Sequence, residues 1–416
     1  MLKYIDLCSG IGGFRVAIES LKGDFKCILS ADIKQDAIDV YNANFNETNE
    51  KVDINTLDPG AIGAFDLLCA GFPCQPFSSA GQKKGFSDTR GGIIFKILEI
   101  CKYHKPKYVL LENVYNLMTL DNGKCIARIK QLFEELGYFV NYEKFNSCDF
   151  GCPQSRERVY IVCSLNKAVS LTGIVKGQKT FMKDVIDTSV ITTQLDPTFV
   201  NKLIELHQTK PLYGCQIGDK RGGSNNIHSW DIGLNGTITR DECELMNQIM
   251  LERRKKRWAV EKDITWMDGM PLTFTEISTF HENTNLQQML DHLVELNYLR
   301  FEKCKELVDG KRHYKLDSEE GYNICKGKLS FPISRILDPN GVSPTLTATD
   351  SNKLAVLVGG VVRPLTANEM KKVCGFPESF IIPKHVNYYN LFGNMATPPV
   401  ITAILLLLFS EDTQTP

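Results

Sequence analysis

Short apolar runs closed by Gly, Pro or an acid alternate with amphipathic stretches through residues 1–165. Continuous or period-two apolar runs read as strands, and apolar residues spaced three and four apart read as helix faces. On that basis strands are predicted at Lys3–Cys8, Cys27–Asp32, Asp66–Ala70 and Lys107–Glu112. Helices are predicted at Phe14–Leu21, Asp36–Tyr41, Ile93–Cys101 and Cys125–Leu136, and two more strands near Phe139–Phe145 and Val159–Ser164. Such alternation builds an α/β domain, with a doubly wound, mainly parallel sheet covered by helices on both faces.

Beyond residue 165 the rhythm stops. Residues 170–270 are polar and Gly-rich in places and show no clear period, and Arg253–Arg257 form a basic run ending at Trp258. A compact pattern returns at 272–316. A short helix near Thr275–Phe280 precedes Leu286–Leu296, in which Leu286, Met289, Leu290, Leu293 and Leu296 fall on one helical face. Strand-like Tyr298–Phe301 and His313–Leu316 follow, with Asp309-Gly310 as a hairpin turn. The segment has the outline of a winged helix-turn-helix, and a plain helical insertion with a Leu-lined core fits the same pattern. Near the end, Val400–Phe409 is apolar but too short for a bilayer, and reads as a buried helix entered through Pro398-Pro399. It is expected to return to the amino-terminal sheet, giving a discontinuous first domain (1–185 and 390–416) around a second (186–389).

Composition narrows the picture only a little. With 416 residues, 43% hydrophobic and 23% charged, the chain can bury the cores of about two or three domains. A formal charge of -1 neither advertises nor excludes a polyanionic partner, because local patches do the steering. The 14 cysteines contain no C-x-x-C pair and the seven histidines no ligand spacing, so reduced thiols and no metal are expected. No leader pattern precedes the first strand, and a cytoplasmic protein without membrane partners is expected.

Candidate chemistry begins at Gly71-Phe72-Pro73-Cys74-Gln75-Pro76, which leaves the Asp66–Ala70 strand. A thiol at the carboxyl end of such a strand sits where open α/β sheets place their sites. Alone, Cys74 reads more readily as a buried structural cysteine than as a nucleophile. A strand, a Gly-rich turn and a helix start are combined in Asp6-Leu7-Cys8-Ser9-Gly10-Ile11-Gly12-Gly13-Phe14. Arg15 stands where a dinucleotide fingerprint from Gly10 would need glycine. Asp32 ends the second strand, where an acid commonly bonds ribose hydroxyls. The combination points to a nucleoside-bearing cofactor that need not carry a pyrophosphate.

Leu111-Glu112-Asn113-Val114 and Gln154-Ser155-Arg156-Glu157-Arg158 complete an ordered set, and with them the sequence resembles the DNA cytosine-5 methyltransferases of restriction–modification type. Arg363-Pro364-Leu365-Thr366, Gly375-Phe376-Pro377 and Phe392-Gly393-Asn394 extend the likeness, which covers roughly 1–165 and 331–409. The resemblance implies the class I methyltransferase fold and S-adenosylmethionine as methyl donor. It casts Cys74 as the nucleophile that adds to C6 of a flipped-out cytosine. Glu112 would meet the N3 edge of the base, Arg156 would hold its O2, and Arg158 would orient the site. Cofactor contacts would come from Asp6, Cys8, Ser9, Gly10, Ile11, Gly12, Gly13, Phe14, Asp32, Ile33, Asp53, Ile54, Pro73 and Asn394. Asn113 would support its loop, and the loop 75–91 would close over the base. Readout would fall to residues between 185 and 360, with Arg253, Arg254 and Lys255 either on phosphates or simply on a solvated helix face.

Departures from the family pattern touch the cofactor side. Cys8 and Ile33 stand where aromatic residues are common, Asp32 where Glu is usual, and Met395 where a small residue is usual. Implied partners are double-stranded DNA and, functionally, a restriction endonuclease acting on the same sequence, with a monomer as the working unit. Two alternatives remain open. One is the same chemistry on RNA, although the Cys-Phe-Thr signature of the RNA-directed relatives is absent. The other is a silent, DNA-binding relative.

Overall fold

The computed structural model describes residues 1–73, 92–219, 225–325 and 331–410. The chain divides into two compact units, one of Met1–Asp187, Asp338–Asn352 and Leu365–Pro416, the other of Thr188–Leu337 and Lys353–Pro364.

In the first unit, β1 (Leu2–Leu7), α1 (Gly13–Glu19), β2 (Phe25–Ala31), α2 (Gln35–Phe45), β3 (Leu67–Gly71), α3 (Ile93–His104), β4 (Tyr108–Val114), α4 (Lys124–Glu135), β5 (Phe139–Asn146) and β6 (Glu157–Ser164) follow in order. One six-stranded sheet has the order β2-β1-β3-β4-β6-β5. β1 pairs parallel with β2 and β3, and β3 with β4, whereas β6 runs antiparallel to both β4 and β5. The order reverses direction between β1 and β3, and ligand crevices of open sheets form at such a switch point. Strands buried on both faces explain the near-continuous apolar runs in β3 and β4. On one face Ile97, Ile100, Ile129 and Phe133 pack against Leu68, Val109 and Ile161. On the other, Phe14 and Ile18 join Val400, Ile401, Ile404 and Leu408 of the last helix, Pro398–Ser410. By length and composition Tyr388–Ser410 would pass for a membrane span. It is instead broken into Tyr388–Asn394 and Pro398–Ser410, and the second helix fills the sheet's second face.

The compact units are drawn differently from the expected 1–185/390–416 and 186–389. Residues 338–352 and 365–389 belong to the first unit. The Leu346 amide donates to the Gln154 side-chain oxygen (3.1 Å), Ser343 bridges to Gln154, and Glu369 accepts from the Asp187 amide (2.8 Å). These bonds join residues far apart in the chain, which local periodicity does not register.

The second unit corrects the reading of 170–270 as lacking a period. It contains α5 (Pro197–Thr209), the short β7 (Gln216–Ile217) and β8 (Asn226–Ile227), α6 (Arg240–Glu252) and α7 (Lys256–Glu261). α5 starts on an Asp196 cap with Pro197 at its first position, and α6 on a Thr239–Glu242 capping box. Leu245, Met246, Ile249 and Met250 then bury one face of α6. α8 (Phe274–Ser278), α9 (Leu286–Glu295), β9 (Leu299–Lys303), β10 (Lys305–Val308), β11 (Lys311–Tyr314) and β12 (Glu320–Ile324) follow. β9 pairs with β12, Leu272 bridges to Tyr322, and β10–β11 form a separate hairpin. Leu286, Leu290 and Leu293 pack with Leu245, Ile249, Trp258 and Ile324 in one core. β13 (Arg335–Ile336), β14 (Leu354–Val358) and β15 (Val361–Pro364) make a further small sheet.

The basic run 253–257 is only partly open to solvent, with Lys255, Lys256 and Arg257 exposed. Arg253 is fully buried, Arg254 pairs with Asp268 at 2.8 Å, and Lys255 and Arg257 pair with Glu252 at 2.5 and 2.8 Å.

Candidate active site

A cavity of about 550 Å³ opens where β1 to β4 end, inside the first unit. Cys8, Gly10, Ile11, Asp32, Ile33, Asp53, Ile54, Pro73, Glu112, Arg156, Arg158 and Asn394 border it, as sequence reasoning expects. Cys74 and the loop 75–91 lie outside the described residues. A larger groove of about 1440 Å³ runs past Val16, Phe380 and Leu406, but none of the candidate catalytic or cofactor residues borders it.

Asp32 ties one end of the cavity together. Its carboxylate accepts from the Gly10 amide (2.8 Å) and the Lys34 amide (2.9 Å), which holds the Gly-rich turn against the end of β2. Gly10 has φ +53, and a Cβ placed on it would meet nothing within 4 Å, so the turn leaves its cavity side open. Ile33 beside it is 63% exposed, a large apolar side chain on a cavity wall. Asp53 caps a short turn by accepting from Asn55 (2.9 Å), and Ile54 is buried beneath. Burial, with Asp32 and Asp6 nearby, pushes the Cys8 thiol up to about 12, so it packs rather than reacts.

Asp6, Ser9, Gly12, Gly13 and Phe14 do not border the cavity. Asp6 is fully buried in β1, and burial holds its pKa well above the usual carboxylate range. Phe14 belongs to the core under the sheet. Gly13 serves close packing, because a Cβ there would lie 2.2 Å from the Ala396 carbonyl oxygen. Lining residues that sequence reasoning missed include Lys34, Asn55, Phe72, Val114 and Leu391. Each adjoins a motif residue, and that adjacency was the available signal.

The polar end is built from β4 and β6. The Arg158 guanidinium Nε stands 3.0 Å from Glu112 Oε1, and its Nη1 donates to the Glu157 carbonyl at 2.8 Å. Burial raises the Glu112 pKa, and the charges of Arg158 and Arg156 only partly offset this. Arg156 is otherwise committed. Its Nη1 donates to the carbonyls of Leu346 (3.2 Å) and Gly393 (3.1 Å), and its Nη2 to that of Met395 (2.7 Å). Burial, then the neighbouring Arg158, lowers its pKa to about 10, which still leaves it charged near neutrality. The Asn113 side chain donates to the Phe72 carbonyl at 2.9 Å, fixing the backbone two residues before Cys74. Among the described residues there is no group of three or more His, Cys, Asp or Glu that could hold a metal.

Residues 2–409 match the family of C-5 cytosine-specific DNA methylases. Type II methyltransferase M.NlaIV of Neisseria lactamica is 42% identical, with 97% of each chain covered. Type II methyltransferase M.BanI of Aneurinibacillus aneurinilyticus is 34% identical over 99% of this chain and 96% of its own. Among solved structures, S. pombe Dnmt2 methyltransferase shares the fold at TM-score 0.52 and 18% identity, over 100% of both chains. The Entamoeba histolytica methyltransferase EhMeth does so at TM-score 0.52 and 16% identity, over 100% of this chain and 99% of its own. A mainly parallel sheet with a strand-end cavity, and a family match over nearly its whole length, make this chain a member of the C-5 cytosine-specific DNA methylase family.

Proposed function

We infer that the chain methylates C5 of one cytosine within a short duplex DNA sequence, by way of a covalent bond between Cys74 and C6. It would act in the bacterial cytoplasm, as a monomer and as the modification partner of a restriction endonuclease with the same target. The observation that carries this reading is the Glu112–Arg158 pair on the wall of the cavity that Asp32 and Ile33 also border.

The cavity residues fit S-adenosylmethionine. Asp32 has acceptor capacity for ribose hydroxyls, Ile33 offers an apolar face for adenine, and Asn394 stands at the Phe-Gly-Asn end for the amino-acid moiety. When bound, S-adenosylmethionine supplies an electrophilic methyl group to an electron-rich C5.

The residues' task is to make C5 electron-rich, on a base swung out of the stack. The Cys74 thiolate forms the bond to C6, the C5–C6 π pair moves to C4–C5, and the C4–N3 pair moves onto N3. Glu112, whose pKa burial raises, gives a proton to N3 as that charge develops. After methylation the C5 proton leaves to a base, its electron pair restores C5–C6, and Cys74 departs as thiolate. N3 then returns its proton to Glu112. Arg158 orients Glu112 and is the better placed guanidinium for the base. Arg156, with both terminal nitrogens on backbone carbonyls, is a positioning residue rather than the O2 contact.

A duplex with 5-fluorocytosine at the target tests the covalent step, because fluorine cannot leave as a proton and elimination stalls. A denaturation-resistant protein–DNA adduct attached through Cys74 is expected. Efficient methylation of natural DNA with no trapped adduct would contradict the mechanism.

A further inference from the structure

The elements over 240–324 run helix, the short helix α7, a bridge at Leu272, helix, helix, strand, hairpin, strand, which is the order of a winged helix with α7 inserted after its first helix. In helix-turn-helix folds the last helix normally enters the major groove. Here that helix, α9, is poorly suited to it. Residues 274–296 carry four acids, Glu276, Glu282, Asp291 and Glu295, and no Lys or Arg. Asp291 and Glu295 are exposed on α9, and Gln287 is already bonded to Asp291 and the Tyr322 hydroxyl.

The hairpin carries the opposite charge. Residues 305–314 hold three Lys or Arg against two acids, and Lys303 and Lys315 flank them. Asp309 (φ 51) and Gly310 (φ 73) form its tip, as a tight two-residue turn requires. β11 is exposed along its whole length, so Lys311 and Arg312 project beside the tip, and Leu307, Val308 and Tyr314 remain 42%, 46% and 48% exposed. A lone two-stranded hairpin is marginal in water. This one is braced by Lys305 over the Tyr314 ring (4.8 Å) and by Lys315 on the carbonyls of Lys262 and Asp263.

We propose that this hairpin, residues 305–314, docks on the phosphate backbone of duplex DNA, with Lys311 and Arg312 as phosphate contacts and α9 outside the groove. Charge decides the orientation, because α9 would bring carboxylates to the phosphates and the hairpin brings cations. Leu307 and Tyr314, which share the Arg312 face, then lie against sugars, and Lys311 reaches a phosphate from beside the tip. Such contacts add affinity without reading sequence. This proposal rests on the DNA-methyltransferase reading above.

The test is equilibrium binding of full-length protein to a duplex of natural sequence containing the target, over a range of salt concentrations. Each phosphate contact contributes about 0.9 to the slope of log K against log salt, so Lys311→Ala with Arg312→Ala should flatten it by about 1.8. The methylated sequence should stay the same, and Gln288→Ala on α9 should change neither quantity. An unchanged slope in the double variant, with wild-type protein binding normally, would overturn the hairpin's role alone. So would a changed methylated sequence, or a loss of affinity in Gln288→Ala. Wild-type protein that neither binds nor methylates duplex DNA would overturn the underlying reading as well.

Discussion

Arg158 and Glu112 meet across neighbouring antiparallel strands, with 3.0 Å between Nε and Oε1, at a place where burial favours the neutral acid. The pairing keeps the Glu112 carboxyl oriented while leaving its pKa raised. Because the shift is upward, Glu112 holds its proton to higher pH than an ordinary carboxyl, and proton donation is lost as pH rises through the shifted value. The rate at saturating DNA should therefore show an alkaline limb that Glu112→Gln lacks, with turnover lower by about 10²–10⁴. A full-rate Glu112→Gln enzyme would show that N3 is protonated by another group.

Arg156 and Arg158 should fail in different ways. Arg156→Ala removes three bonds to carbonyls at 346, 393 and 395, each worth roughly 1.5–3 kcal/mol as charged hydrogen bonds before relaxation. Denaturant unfolding should register most of that loss. Arg158→Ala, at the cavity wall, should lower turnover at a much smaller cost in stability. The reverse pattern would return the base contact to Arg156.

Ile33 is exposed in the cavity and should be covered when the cofactor binds. Ile33→Ala should weaken S-adenosylmethionine binding in calorimetry by about 1 kcal/mol, roughly fivefold. Ile33→Phe should tighten it. Equal affinities across the three proteins would remove Ile33 from the adenine site.

Asp6 offers a stability test. It is fully buried, and neither carboxylate oxygen has a hydrogen-bond partner among the described residues. With its folded pKa raised, its contribution is most favourable below the unfolded pKa and is lost as pH rises towards the folded value. The melting temperature of Asp6→Asn should gain on wild type as pH rises above about 4. A gap that stays constant with pH would mean Asp6 ionises normally in the fold.

Much of this architecture is legible locally. β1 to β6 and α1 to α4 follow from apolar runs and their Gly, Pro or acid endings, whereas Glu112, Arg156 and Arg158 stand out only through the family resemblance of their ordered motifs. What escapes is decided by contacts distant in sequence. Arg253 and Arg254 read as part of a basic surface run, yet Arg253 is buried and Arg254 pairs with Asp268. The split of duties between Arg156 and Arg158 depends on carbonyls some two hundred residues away, between 346 and 395. α6 was legible after all, through its Thr239–Glu242 box and Leu245-Met246/Ile249-Met250 spacing, but the polar flanks mask it.

The most direct measurement is base-resolution mapping of 5-methylcytosine in DNA from a methylation-free host expressing this protein, with Cys74→Ala in parallel. The account predicts methylation at one short sequence, complete in the wild type and absent in the variant. Methylation that survives in Cys74→Ala, or wild-type expression that leaves no 5-methylcytosine in DNA, would contradict it.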